Sequence, residues 1–191
     1  KAFIWLFNMK TFKPRIKARL RKNRQVLNKN IDNFFGWIKG AKLVELKECN
    51  TEEDPVRPEL DNEFRTGYGR KIYGVEYQEE IHAVMCFAYT NKIPKSVEEL
   101  EKLSTDAFLQ SAMRDQAGGQ IAIAYTVWSK KKGGGKLIVK EVFKKIKKSN
   151  HLNRLVTLSP LTEMATKFHT RNGAKLVQIN ETTQNFEYKV L

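Results

Sequence analysis

Apolar and polar positions along this chain recur with periods that predict an α/β protein. "RKIYGVEY" alternates, placing Tyr73, Val75 and Tyr77 on one side, and "IHAVMCFAY" is a longer apolar run beyond the polar break Gln78-Glu79-Glu80. Together they read as an antiparallel hairpin. "IPKSVEELEKL" opens a helix with Ser96 as N-cap, Glu99 three residues on, and Val97, Leu100 and Leu103 as the buried stripe. The helical pattern continues through Phe108, Leu109 and Met113 until Gly118-Gly119 ends it. "IAIAYTV", Ile121 to Val127, is almost wholly apolar, as expected of a strand near the middle of a sheet covered on both faces. "LIVKEVFKKIKK" then repeats Ile138, Val142 and Ile146 at helical spacing. Last comes "RLVTLSPLTEMATKFHTRNGAKLVQIN": an apolar run stopping at Ser159-Pro160, a short helix containing His169, a left-handed C-cap at Asn172-Gly173, and a second apolar run.

The N-terminal part differs. In "KPRIKARLRKNRQVLNKNIDNFFGWIKG" the apolar residues Ile16, Leu20, Leu27, Ile31, Phe34, Phe35 and Ile38 fall at near-helical spacing, which predicts one or two amphipathic helices. A turn-rich connector, "CNTEEDPVRPELDNEFRTGYG", follows. The expected division is therefore residues 1–60, a basic helical segment with its connector, and residues 61–191, the folded domain.

Charge sharpens that division. Lys1 to Glu48 holds thirteen basic and three acidic residues, so +10 of the net +14 lies there. Such a segment is drawn to phosphate, whether on nucleic acid, an anionic membrane or a charged ligand. A solvated basic helix face is the plainer reading. The whole chain, 191 residues with 41% hydrophobic content, can bury one sizeable core. Cys49 and Cys86 stand far apart with no Cys/His spacing, which fits a reducing cytosol and offers no metal site. No apolar run approaches the roughly 20 residues that span a bilayer. The expected location is cytoplasmic.

Between the apolar strand and the next helix lies "WSKKKGGGK". Gly133, Gly134 and Gly135 let the backbone approach a ligand closely, and the free amides at the helix start favour an anion such as a pyrophosphate. Lys130, Lys131, Lys132 and Lys136 add countercharge. The turn is not a P-loop, because Lys136 is followed by Leu137 instead of Ser or Thr, and the preceding hairpin and helix do not form a dinucleotide-binding βαβ unit.

Lys130, Gly133 and Gly135 are spaced as in the pyrophosphate loop of the GNAT superfamily of acyl-CoA N-acetyltransferases, which the chain resembles; Gln or Arg is usual at the first position there. Within that superfamily "AVMCFAYTNKIPKSVEEL", "IAIAYTVWSKKKGGGKLIVKEVF", "RLVTLSP" and "FHTRNGAKLVQIN" each look like a segment of the malonyl-CoA decarboxylase catalytic domain, in the same order. In that family the serine and histidine of the last two motifs are the catalytic pair, which the resemblance carries to Ser159 and His169. Two departures stand out: the family's long segment between these motifs is absent, and its helical N-terminal domain is reduced at most to the basic segment.

The resemblance implies a mixed, mostly antiparallel central sheet flanked by helices, with a coenzyme A thioester, acetyl-CoA or malonyl-CoA, as substrate and no metal. Lys130 to Lys136 would hold the pyrophosphate, and the strand reaching Val127 would offer a backbone amide to the thioester. His169 stands where such acetyltransferases usually carry a tyrosine acid, and an imidazole can both give and take a proton near neutrality. N-acyl transfer to an unknown amine is the favoured reaction, with Glu79 or Glu80 as base by position only. Malonyl-CoA decarboxylation by the Ser159/His169 pair is the alternative, and a non-catalytic binding protein with a nucleic-acid-binding basic arm is the second. The plainer readings are Ser159 as a helix cap and His169 as a satisfied surface or core histidine. His82 and His151 carry no role.

Overall fold

Gln78 and Glu79 both adopt positive φ, 54° and 64°, the geometry of a two-residue turn whose twist matches paired strands. They join β2 (Lys71–Tyr77) to β3 (Glu80–Thr90), so the hairpin expected from alternation is present, with Glu80 opposite Tyr77 inside the ladder. The computed structural model describes residues 19, 21–27, 36–114 and 118–188. It falls into two units, residues 1–41 and 42–191. In the first, residues 21–27 and 36–40 are helical and Trp37 is buried. The rest of the expected basic amphipathic helices, including Ile16, Leu20, Ile31, Phe34 and Phe35, lies outside the described residues.

The second unit is built on an eight-stranded sheet ordered β1-β2-β3-β4-β5-β8-β6, with β7 on β8. The further strands are β1 (Lys42–Leu46), β4 (Ile121–Ser129), β5 (Arg154–Thr157), β6 (Ser159–Pro160), β7 (Ala174–Ile179) and β8 (Thr183–Tyr188). Among the described residues only β4 and β5 pair in parallel, so the sheet is mixed and mostly antiparallel, as expected. Among the described residues four α-helices accompany it: α1 (Asn62–Thr66), α2 (Val97–Arg114), α3 (Gly134–Lys147) and α4 (Glu163–Arg171).

Local chemistry accounts for the boundaries. Ser96 Oγ accepts the Glu99 amide at 3.2 Å, and Glu99 reaches back to the Lys95 amide at 2.6 Å, a reciprocal N-terminal cap for α2. Every residue from Ile121 to Thr126 is buried, which follows from β4 lying between β3 and β5. Leu100 of α2 packs with Ile72, Val84, Cys86 and Ile123, while α3 lies against β2, β3 and β4. Thr162, not Ser159, caps α4, accepting the Ala165 amide at 3.2 Å. Gly173 at φ 89° ends that helix. The apolar run in β7 departs from a buried strand: Leu176, Val177 and Ile179 are exposed on β7, which lies off the main path of the sheet and pairs with β8.

Candidate active site

Strands β4 and β5 pair only from Ile121/Arg154 to Ala124/Thr157, after which Leu158 N donates to Ala124 O at 2.9 Å and β4 continues alone to Ser129. Tyr125 falls out of the β3–β4 register, a bulge that bends the strand at the same point. A cavity of about 640 Å³ fills the opening. Its lining is mostly apolar, with Met85, Leu155 and Phe168 among its walls, and it includes Val127, Lys130, Gly135, Ser159 and His169 of the residues named from the sequence.

Ser159 and His169 meet in this cavity. Both are 5% exposed, and Ser159 Oγ lies 2.8 Å from His169 Nε2. Ser159 donates its hydroxyl proton to Thr157 Oγ1 at 3.0 Å, so it can only accept from the imidazole. That assigns the proton of the neutral ring to Nε2 and leaves Nδ1 to accept from Tyr188 OH at 2.8 Å. Thr157 Oγ1 also accepts the Phe186 amide at 3.0 Å, which anchors the row at its far end. The ring stacks on Phe186, with centroids 5.1 Å apart, and meets Phe168 edge-on. Burial among these groups lowers the His169 pKa to about 4, so the imidazole is neutral at neutral pH. Burial likewise raises the Tyr188 phenol well above its ordinary value.

The glycine turn closes one end of the cavity. Gly133, at φ 86°, is the N-cap of α3, and the Gly135 and Lys136 amides belong to its first turn, whose donors have no partner within the helix. Gly134 is closely packed: a Cβ there would stand 3.0 Å from Ser129 Cβ and 3.3 Å from His82 O, so those neighbours would have to give. Gly133, Gly135 and Lys136 also line an adjoining pocket of about 570 Å³, together with Lys167 and Arg171 of α4. The other lysines diverge: Lys130 pairs with Glu53 at 2.6 Å, Lys131 lies over the Tyr77 ring at 4.8 Å, and Lys132 is exposed. Glu79 and Glu80 sit at the exposed β2–β3 turn, away from the cavity lining.

Sequence reading missed Thr157, Tyr188, Glu53, Lys167 and Arg171. Thr157, the last residue of β5, stands two residues before Ser159, the first of β6, and that spacing in extended backbone puts both side chains on one face and could have revealed it. Lys167 and Arg171 are four apart on α4, which likewise puts them on one face. Tyr188 has no such signal, for strand pairing brings it near His169, opposite Leu155 of β5 and Ala174 of β7.

No family model matches the sequence, and no curated protein matches it. Solved structures do. A Bacillus subtilis acetyltransferase in complex with CoA superposes with TM-score 0.54 at 13% identity, covering 79% of this chain and 99% of that one. The GphF GNAT-like decarboxylase in complex with isobutyryl-CoA gives 0.57 at 10% identity, over 77% and 98%. The fold is that of the GNAT superfamily. A malonyl-CoA decarboxylase from Cupriavidus metallidurans is also similar, with TM-score 0.47 and 17% identity over 75% of this chain and 37% of that one. In GNAT terms, the cavity occupies the splay between the parallel strands, and the glycine turn opens the helix that follows the first of them.

Proposed function

We propose that this chain is an enzyme acting on a coenzyme A thioester and that its reaction at Ser159 and His169 is decarboxylation of a malonyl-type acyl group. The buried Ser159–His169 contact, facing the splay of a GNAT fold, carries the reading. Use of an acyl-CoA is supported by the CoA and isobutyryl-CoA bound to the two structural neighbours. The amides of Gly135 and Lys136, with Lys136, Lys167 and Arg171, would hold the pyrophosphate end.

In the reaction the bond between the malonyl carboxylate and Cα breaks, its electron pair enters the thioester as an enolate, carbon dioxide leaves, and Cα takes one proton. A mostly apolar cavity holding a neutral imidazole gives the carboxylate little solvation, which raises the ground state more than the charge-dispersed transition state. A backbone amide of β4, at or near Val127, would stabilise the enolate oxygen. Ser159 would turn its hydroxyl from Thr157 to Cα and deliver the proton. Ser159 is recharged from His169 Nε2–H, and Nδ1 takes the Tyr188 proton, which solvent restores.

Amine acylation ranked first on sequence grounds, with Glu79 or Glu80 as base. Their position on the exposed turn moves the balance to decarboxylation. N-acyl transfer keeps one supporting observation: Glu53 places a carboxylate in the cavity lining, where it could serve as base if Lys130 released it.

Calorimetry and turnover with CoA, acetyl-CoA and malonyl-CoA test the proposal. Carbon dioxide and acetyl-CoA formed from malonyl-CoA without an amine, and abolished by Ser159→Ala, are the expected result. Turnover of acetyl-CoA only when an amine is added would establish the second reading. Absence of binding by all three thiols and thioesters would sink both.

A further inference from the structure

Two main-chain carbonyls stand where β4 and β5 part. Tyr125 is the residue left out of the β3–β4 register, and Leu158 follows the last β5 residue paired with β4. One side chain takes both carbonyls: Arg57 Nε donates to Tyr125 O at 3.0 Å, and Arg57 Nη2 donates to Leu158 O at 3.1 Å. Arg57 is 8% exposed and comes from a loop far from either strand in sequence.

That loop is fastened beside the splay. Asp54, 1% exposed, accepts the Val56 amide at 2.9 Å and the Arg57 amide at 3.2 Å. Thr126, the residue after the bulge, donates its hydroxyl to the same carboxylate at 2.8 Å. Arg65 Nη2 pairs with Asp54 Oδ2 at 2.9 Å. The Arg57 guanidinium is thus left to the two carbonyls. Pro55 and Val56, beside Arg57, line the cavity, while Arg57 itself is not among its walls.

We propose that Arg57 is a positioning residue, a fixed spreader that holds β4 and β5 apart at the width the thioester needs, with Asp54 as its mount. The proposal rests on the CoA-thioester reading of the cavity. A guanidinium presents planar donors at fixed spacing, so satisfying both carbonyls sets their separation, whereas an ammonium is a point donor with no such geometry. Without the spreader, continued pairing would bring Leu158 and Ser159 against Tyr125 and Thr126 and narrow the opening. Pyrophosphate affinity would be left largely untouched, because its donors lie at the glycine turn.

Arg57→Lys and Arg57→Gln, made in the full chain, test this. Calorimetry compares CoA with S-acetonyl-CoA, a stable ketone analogue of the thioester, and steady-state kinetics follow malonyl-CoA. Both variants should bind CoA within about threefold of wild type, lose roughly tenfold or more of the preference for the ketone analogue, and lose a similar factor in kcat, since small displacements of reacting groups carry penalties up to about 100-fold. Arg57→Lys should fall between wild type and Arg57→Gln. Unchanged analogue preference and kcat would overturn the proposal. So would a loss of CoA affinity and thermal midpoint in step with the analogue preference, since that pattern marks a merely structural role. If Arg57→Gln does not fold, Arg57→Lys, which keeps the buried charge, decides by the same criteria. Wild type that binds neither ligand refutes the CoA-thioester reading itself; wild type that binds both and is matched by the variants refutes only the spreader.

Discussion

The Oγ of Ser159 and the Nε2 of His169 lie 2.8 Å apart, although one residue stands on a two-residue strand and the other on a helix ten positions later. Between them lie Pro160, Leu161, the cap Thr162 and the first six residues of α4, so the contact depends on how α4 lies along the splay. Phe186 and Phe168 hold the imidazole in plane, and Thr157 fixes the serine. The result is a row of hydrogen bonds running one way, from Tyr188 through His169 and Ser159 to Thr157.

Ser159→Ala removes the hydroxyl that the proposed decarboxylation uses as proton donor. The expected effect is a fall in kcat of about 10²- to 10⁴-fold, the range of a lost general acid, with KM for malonyl-CoA little changed. Stability should drop by only about 1 kcal/mol, since one buried hydroxyl and its hydrogen bonds are lost. Steady-state kinetics and thermal unfolding of the same preparation check both.

The His169 pKa gives a signature in stability. It is lowered from 6.5 to about 4 in the folded chain, so between those values the unfolded state binds more protons. The neutral ring's contribution is therefore complete above about pH 6.5 and is lost as pH falls toward 4, on the order of 3 kcal/mol in all. His169→Gln should flatten this part of the stability profile, as read by urea unfolding from pH 4 to 8. The kcat profile of wild type should likewise show no ionisation of this ring near 6.5.

Tyr188→Phe tests the direction of the row. Without the phenol, Nδ1 loses its donor, and the preference for the Nε2–H tautomer weakens. A fall in kcat of about tenfold is expected, at the low end of the range for a group acting through another. Imidazole ¹⁵N shifts of His169 should move toward mixed tautomers; unchanged shifts would show that Tyr188 does not orient the ring.

At the glycine turn, Gly134→Ala drives a Cβ against Ser129 Cβ and the His82 carbonyl. Displacing that turn should destabilise the fold by about 1–3 kcal/mol, as overpacking does. CoA affinity should fall by roughly tenfold, equal to about 1.4 kcal/mol, because the α3 amides shift with the turn. Calorimetry against Lys132→Ala, an exposed lysine of the same loop, separates backbone geometry from charge.

Asp54→Ala leaves the fully buried guanidinium of Arg65 without its carboxylate. Breaking a buried pair by removing one partner costs about 3–5 kcal/mol. Urea unfolding should show that loss, and the reverse replacement of Asp54 by Asn should recover part of it through the retained Thr126 and amide contacts.

The order of elements was legible because each one follows from local physics. Alternation at Tyr73, Val75 and Tyr77 marks a strand, Ser96 and Glu99 cap a helix, and a wholly apolar run from Ile121 marks a central strand. The glycine turn was legible for the same reason: backbone freedom and helix amides are properties of adjacent residues. Ser159 and His169 were named from their motifs, but only folding shows that they touch and that Thr162 does the capping. Tyr188, Arg57 and Asp54 could not be read from the chain at all. Their partners lie in other strands, at separations set by sheet order and by the point where β4 and β5 diverge. Sequence by itself thus determined which segments become strands and helices and where the glycine turn opens α3. Tertiary structure alone decided the protonation of His169 and the width of the cavity, because burial and long-range hydrogen bonds exist only after the sheet has formed.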